Sequence, residues 1–122
     1  MISIINSYLS SKPPSIVIAA VEAMVAKVSL SGHPGILSYE MFRPDAGEEV
    51  VGLFRYADAA AWIGHHELIK DWQEFVDLRD SLSLTSIRFF GTIPSEIHAW
   101  LAQANFDTSI IEECPPLSRY VK

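Results

Sequence analysis

The sequence has few of the residues that most often reveal a function. Its 122 residues include one cysteine, Cys114, which excludes an internal disulfide or a metal site built from several cysteines and fits a reducing compartment. Nine Lys and Arg stand against 15 Asp and Glu, a formal charge of −6, and the basic residues are scattered singly. Because no basic patch could neutralise phosphates, we expect no nucleic-acid partner.

A long uninterrupted hydrophobic run is also missing. The most apolar stretch, 16–26, contains Glu22 and is followed by Lys27, whereas a membrane-spanning helix needs about 20 largely apolar residues. Lys12 is the only basic side chain before this stretch, so the basic region of a signal peptide is absent. We therefore expect a cytoplasmic protein with no membrane partner.

Motifs with a fixed chemistry are absent as well. No group of residues has the spacing of a metal site, a catalytic triad or a phosphate-binding loop, so we expect no metal and no cofactor. The length fits a single domain, and 49% of the residues are hydrophobic. Such a small, apolar chain would expose an apolar face unless a second subunit covered it, which favours a homo-oligomer.

Periodicity and turn residues predict the order of helices and strands. Asp58 is expected to cap a helix that buries Trp62, His65, Ile69, Trp72 and Val76, which recur at intervals of three and four. The other predicted elements are a strand at 2–9, a helix at 14–31 buried on most sides, a hairpin of strands 36–43 and 50–56 with a turn at 44–47, a strand at 84–92, a short helix from Pro94 and a last strand at 107–113.

This order predicts an α+β fold. Strand, helix, strand, strand, helix, strand is the ferredoxin-like split βαβ sandwich, in which the helices cover one face of the sheet. The other face still carries apolar residues, and pairing it with the same face of a second subunit would give a symmetric dimeric α/β barrel. We expect residues 1–93 to form this domain and residues 94–122 to be a helix and strand extension of it.

Three stretches resemble the antibiotic biosynthesis monooxygenase (ABM) family of dimeric α+β barrels. They are Lys-Pro-Pro at 12–14, Gly-Ile-Leu-Ser-Tyr-Glu at 35–40 and Phe-Arg-Tyr-Ala-Asp-Ala-Ala-Ala-Trp-Ile-Gly-His at 54–65, and the resemblance covers about 2–93. The family's pattern of an aromatic, a turn, two alanines, an aromatic and a histidine maps onto Tyr56, Asp58, Ala60, Ala61, Trp62 and His65.

The resemblance implies a range of activities. The family includes cofactor-independent oxygenases of quinol-like aromatics, haem-degrading enzymes and proteins with no assigned reaction. Many members have a further histidine where this chain has Lys70. Haem-degrading members use an Asn on the first strand, for which Asn6 could stand, but the Trp and His that they place ten residues apart are not matched here, which disfavours that branch.

The strongest candidate for chemistry is His65. An imidazole near its unperturbed pKa of about 6.5 could take a proton from a phenolic substrate and leave an electron-rich anion that reacts with oxygen. Trp62 and Trp72 could stack on a flat substrate, while Tyr39 and Tyr56 could orient it. The alternative is that these groups are ordinary core residues.

Three other polar side chains have alternative interpretations: Arg88, Glu40 and His66. Arg88 could hold an oxyanion, or could pair with Glu40 across the sheet. We expect His66 to be solvated, because it lies about 100° around the helix from His65. Adjacent helical histidines do not converge on one metal ion.

The sequence thus indicates a cofactor-independent monooxygenase acting on a small quinol- or phenol-like aromatic. Two alternatives remain open. One is a non-catalytic homodimer that binds a small ligand or is purely structural. The other is a cofactor-free lyase, cyclase or isomerase that uses the same base without oxygen.

Overall fold

The computed structural model describes residues 1–45 and 47–122. The strands are β1 (Ile2–Ser10), β2 (Ile36–Phe42), β3 (Glu49–Tyr56), β4 (Leu82–Phe90) and β5 (Ile111–Cys114). The helices are α1 (Pro14–Ser31), α2 (Ala59–Ile69), α3 (Gln73–Ser81) and α4 (Ser95–Gln103), with a 3₁₀ turn at Thr108–Ile110.

The strands form one sheet in the order β2-β3-β1-β4-β5. The pairs β2–β3, β3–β1 and β1–β4 are antiparallel, and the short edge strand β5 runs parallel to β4. The first four strands with their helical crossovers are the predicted ferredoxin-like α+β fold, which is confirmed. The segment after residue 93 adds α4 above this sheet and β5 to its edge.

The hairpin and the first helix follow their sequence signals. Gly47 takes a φ of 99°, a conformation that favours glycine, while Ala46 in the same predicted turn lies outside the described residues. The helix predicted at 14–31 has those bounds, but the expectation that it is buried on most sides is wrong. Only one stripe of it is buried: Val17, Ala20, Met24 and Val28.

Helix α1 also has the length and apolar composition of a membrane-crossing helix. It is the one helix with these properties among the described residues. Here its buried stripe packs against α3 and the sheet.

The predicted long helix after Asp58 is in fact two helices. Asp58 does cap the first, because its Oδ1 accepts the amide hydrogen of Ala61 at 2.9 Å. This helix ends at Ile69, and Trp72 precedes the first residue of α3. The 3,4 spacing of apolar residues continued across the break, so periodicity alone predicted one helix where the chain turns.

Two strand boundaries also differ from the prediction. β4 spans Leu82–Phe90 instead of 84–92, because it begins directly after α3. The last strand is Ile111–Cys114 instead of 107–113, because Asp107 caps the 3₁₀ turn through bonds from the amide and hydroxyl of Ser109.

Two apolar clusters fill the space between the helices and the sheet. The α4-side cluster contains Ile4, Phe54, Trp62, Phe89 and Ile97 among others. The α1-side cluster contains Val17, Met24, Val50, Ile69 and Leu82 among others. Two polar residues lie between the clusters, Asn6 on β1 and His65 on α2. Each follows a residue of the α4-side cluster and precedes one that belongs to the α1-side cluster or packs against it.

Candidate functional site

The seam between the two clusters is the most polar part of the interior. On the central strand β1, Asn6 follows Ile4 of the α4-side cluster and precedes Tyr8, which packs against the α1-side cluster. On α2, His65 lies between Trp62 and Ile69 in the same way. Because alternate strand residues share a face, Asn6 points toward the helices, as Ile4 does.

A close approach between a loop and α2 sets the position of His65. A side chain on Gly35, just before β2, would overlap Ala61, so only glycine lets the chain pass this near the helix. His33 in the same loop accepts the amide hydrogen of Gly35 at 3.0 Å, and its ring lies against Gly64. With the Asp58 cap, these contacts hold the turn of α2 that carries His65.

His65 is 1% exposed and lies between two tyrosines. Its ring centroid is 5.4 Å from that of Tyr39 and 5.8 Å from that of Tyr56. Its buried Nδ1 has no hydrogen-bond partner. Burial lowers the pKa of His65 to about 3, with His66 and His33 adding to the effect, so the expectation of an unperturbed imidazole is wrong and the ring is neutral at pH 7.

Asn6 presents a second buried atom without a partner. Its amide Nδ2 donates to the Tyr8 hydroxyl at 3.0 Å, which fixes the amide, and its Oδ1 bonds to nothing. Leaving a buried polar atom unpaired costs about 1–3 kcal/mol, so two such atoms in one seam need an explanation. A ligand that donates to them would supply one.

Three tyrosines lie beside these two residues, Tyr8 bonded to Asn6 and the rings of Tyr39 and Tyr56 near that of His65. Burial raises the pKa of Tyr8 to about 12 and raises the pKa values of Tyr39 and Tyr56 well above their ordinary value. The charge that Tyr8 would carry if ionised adds to the rise in the pKa values of Tyr39 and Tyr56. They stay protonated and act as hydrogen-bond donors rather than bases.

An aromatic stack borders the seam on the α4 side. The His66 ring lies over Trp62 with centroids 4.0 Å apart, and the edge of Trp100 meets Trp62 at 5.2 Å and 89°. His66 Nδ1 donates to the Trp62 carbonyl at 2.7 Å, so its neutral ring carries the lone pair on Nε2. The expectation that His66 is solvated is wrong, because it is partly buried in this stack.

The structure brings together four of the six side chains selected from the sequence: His65, Trp62, Tyr39 and Tyr56. Trp72 packs against the α1-side cluster, with Lys27 Nζ 5.4 Å from the centre of its ring.

Arg88 is also distant from the seam. It is exposed and lies on the outer face of the sheet, because its neighbours Ile87 and Phe89 are the ones that point toward the helices. The suggested pair of Arg88 with Glu40 is wrong, since Glu40 pairs with Arg55 at 3.9 Å.

Sequence analysis missed Tyr8 and considered Asn6 only for haem degradation. The alternation of Ile4, Asn6 and Tyr8 carried a usable signal, because it puts an amide on the inward face of a strand. The apolar spacing of the helix after Pro94 predicts Trp100 on its inner side, where it could close the pocket or reach a partner subunit, and the structure places it against Trp62 of α2.

Two surface depressions occur elsewhere. One, of about 430 Å³, lies between β4 and β5 and includes Arg88 and Glu112. The other, of about 490 Å³, lies between α1 and α3. Among the described residues, no group of three or more His, Cys, Asp or Glu side chains is placed to hold a metal ion.

Comparison with solved structures identifies the fold. MupZ from Pseudomonas fluorescens superposes with a TM-score of 0.74 at 14% identity, covering 99% of this chain and 93% of its own. SnoaB, a cofactor-independent oxygenase from Streptomyces nogalater, gives a TM-score of 0.58 at 17% identity, covering 76% and 93%. An antibiotic biosynthesis monooxygenase gives 0.52 at 14% identity, covering 77% and 100%.

The chain therefore has the α+β fold of the ABM proteins, as the sequence resemblance indicated. No protein-family model matches the sequence, and no curated protein does. The match to MupZ extends over the α4–β5 extension, whereas about a quarter of this chain lies outside the matches to SnoaB and to the third structure.

Proposed function

We propose that this protein is a cofactor-independent monooxygenase of a small phenol- or quinol-like aromatic. The observation that carries the proposal is that two buried atoms, Asn6 Oδ1 and His65 Nδ1, have no hydrogen-bond partner and belong to residues that lie beside protonated tyrosines. A planar ring with hydroxyl groups would satisfy these atoms. The shared fold with a cofactor-independent oxygenase supports the reaction class.

Each residue of the seam has a role in this proposal. His65 Nδ1 accepts the proton of a substrate hydroxyl, and Asn6 Oδ1 accepts a hydrogen bond from a second polar group of the substrate. Tyr39 and Tyr56 donate to the phenolate oxygen that forms. Trp62 supplies the aromatic wall against which the ring packs.

The low pKa of His65 restricts when the proton moves. An imidazole with a pKa of about 3 is a weak base in the free protein. The phenolate that the transfer leaves beside the imidazolium stabilises its charged form, so the proton moves only when a substrate hydroxyl is bound against the ring. This coupling would keep the free site neutral and confine the reactive anion to the buried complex.

The oxygenation balances without any other reductant. A phenol with a free para position reacts with O₂ to give the para-quinone and water. One oxygen atom forms the new C=O bond at the para carbon, which loses its hydrogen, and the other leaves as water. The ring supplies all four electrons, and the hydroxyl proton passes through His65.

Oxygen uptake with a panel of phenols that have a free para position tests the proposal. We expect the wild type to exceed autoxidation in buffer, label from ¹⁸O₂ to enter the quinone, and His65→Gln to lose about 10²-fold or more in rate. His98→Gln, on the exposed side of α4, is the matched control and should keep the wild-type rate. Equal uptake by wild type, His65→Gln and buffer would refute the oxygenase.

The same experiment under nitrogen addresses the reaction that needs no oxygen. Conversion of a substrate without O₂, lost in His65→Gln, would assign a lyase, cyclase or isomerase instead.

A non-catalytic ligand-binding or structural homodimer is the second candidate. The near-complete burial of His65 favours it, because a packed imidazole can serve the core alone. In that case His65→Gln would lower thermal stability and no tested aromatic would be converted.

We also propose that the protein is a cytoplasmic homodimer. The outer face of the sheet is left uncovered, with Phe42 51% and Leu9 49% exposed beside the half-buried Ile5, Val51 and Leu53. Packing this face against its copy would bury these groups. Light scattering should give a dimeric mass for the wild type and a monomeric mass for Leu53→Asp.

A further inference from the structure

The segment 115–122 has an unusual surface. It forms no helix or strand, and three of its side chains project into solvent: Leu117 is fully exposed, Tyr120 is 85% exposed and Val121 is 64% exposed. It also contains Arg119 and Lys122 and no acidic residue. The segment is therefore apolar and basic in a chain whose formal charge is −6.

The groove between α1 and α3 has the complementary character. Its floor is apolar, formed by Ile16, Ala19 and Ala23 of α1, while Asp77 and Asp80 of α3 form one wall. Lys12 lies in the lining as its one basic side chain. The volume of about 490 Å³ is within the range of sites that hold drug-sized ligands.

We propose that the segment 115–122 of a second copy of this chain docks in the groove between α1 and α3. Leu117 and Tyr120 would lie on the alanine floor, and Arg119 and Lys122 would face Asp77 and Asp80.

The chain's own segment cannot occupy the groove in this way. The groove lies beside Ser81, just before β4 begins, whereas the segment leaves the sheet at Cys114, which pairs with Phe90 at the far end of β4. Eight steps of strand separate these ends by about 26 Å. Fully extended, Leu117 reaches about 11 Å from Cys114 and Tyr120 about 21 Å, so a neighbouring molecule must supply the segment.

The outer face of the sheet is a less suitable docking site for the segment 115–122. The charges on that face are mixed, with Arg55 paired to Glu40 and Arg88 in register with Glu112, so it offers the basic segment no acidic wall. It is also the face assigned above to the dimer. The segment would therefore link dimers into larger species. Contacts of this kind join two different surfaces of the molecule, and they form rings or chains.

Light scattering across a concentration series tests the charge pairing in the full chain. We expect the wild type to exceed the dimer mass at high concentration and Arg119→Asp/Lys122→Asp to require about tenfold more protein for the same rise. These two residues lie outside every helix and strand, so the variant should fold. Combining it with Asp77→Lys/Asp80→Lys should restore association. Glu96→Lys, exposed on α4, is the control for charge reversal and should behave as the wild type.

Disulfide trapping locates the contact. In a Cys114→Ser background, a Leu117→Cys protein mixed with an Ala19→Cys protein should form a crosslinked pair on a non-reducing gel. Ala26→Cys, exposed on α1 outside the groove, should not. A wild-type mass that never exceeds the dimer, no restoration by the swapped charges, or equal crosslinking of Ala19→Cys and Ala26→Cys would overturn the proposal. Crosslinking to Phe42→Cys on the outer face instead would assign the segment to that face. None of these readouts depends on oxygenase activity.

Discussion

The indole Nε1 of Trp100 donates a hydrogen bond to Glu67 Oε1 at 2.8 Å, which ties α4 to α2. Lys70 holds the other carboxylate oxygen at 2.8 Å, so Glu67 is fixed from two sides. The bond also sets the Trp100 ring edge-on to Trp62. A residue of the extension thus helps to close the aromatic stack beside the seam.

Trp100→Ala should therefore loosen the stack as well as break the bond. We expect it to lower the free energy of unfolding by about 2–3 kcal/mol, less than a fully buried tryptophan, because the ring is only half-buried. Trp100→Phe keeps a ring against Trp62, and it should retain most of the stability. Urea unfolding of both variants measures the difference. Equal losses would show that the hydrogen bond, not the ring, holds α4.

Gly64→Ala should destabilise the protein, although alanine is the better helix former. A Cβ at this position would lie 2.5 Å from His33 Cδ2 and 2.7 Å from His33 Nε2, so the ring must move. In an unobstructed helix the change would stabilise by about 0.5–1 kcal/mol. Here overpacking should cost about 1–3 kcal/mol.

The double variant His33→Ala/Gly64→Ala separates this contact from other effects. Removing the ring should restore most of the stability lost in Gly64→Ala, as measured by urea unfolding. A double variant no more stable than Gly64→Ala would mean that the glycine serves something other than the His33 contact.

These contacts show where sequence patterns are sufficient and where they are not. Hydrophobic alternation predicted β1, β2 and β3 within one residue at each end, and Asp58 marked the start of α2, because both signals are local. The break after Ile69 was missed because the 3,4 spacing continues through Trp72. The pairing of Glu40 with Arg55 instead of Arg88 depends on the order of strands, which alternation does not specify.

The candidate site shows the same division between local signals, which the sequence carries, and properties of the packed fold, which it does not. His65 could be placed inward from helical spacing, whereas strand alternation put apolar groups on both faces of β2 and so did not specify which way Tyr39 points. The pKa of His65 could not be predicted from the sequence, because its shift depends on how completely the fold removes water from the ring. The lack of a partner for Asn6 Oδ1 is likewise a property of the packed interior.

Asn6→Leu should separate stability from function. The substitution removes a buried unpaired oxygen and one hydrogen bond to Tyr8, so the two effects largely cancel. We expect the free energy of unfolding to stay within about 1 kcal/mol of the wild type, while oxygen uptake falls at least tenfold. Thermal melts and the oxygen electrode test both halves. A loss of stability of about 3 kcal/mol with unchanged uptake would make Asn6 a structural residue.

The pH dependence of stability should report the burial of His65. Its folded-state pKa of about 3 is below the unfolded value of about 6.5, so between these values the unfolded chain binds more protons. Stability must therefore rise with pH through this window and level off above it. Burial also lowers the pKa of His66 to about 4, which adds a contribution of the same sign.

His65→Phe isolates the contribution of the first histidine. Between pH 4.5 and 6.5, where carboxylates contribute little, it should reduce the slope of unfolding free energy by up to about 1.4 kcal/mol per pH unit. Urea unfolding at four pH values measures the slope, with the exposed His98→Gln as the control that should leave it unchanged. The same slope in His65→Phe and the wild type would mean that His65 is protonated as easily in the folded chain as in the unfolded one. The coupling between proton transfer and the bound phenolate would then lose its physical basis, because an accessible imidazole needs no anion beside it to accept a proton.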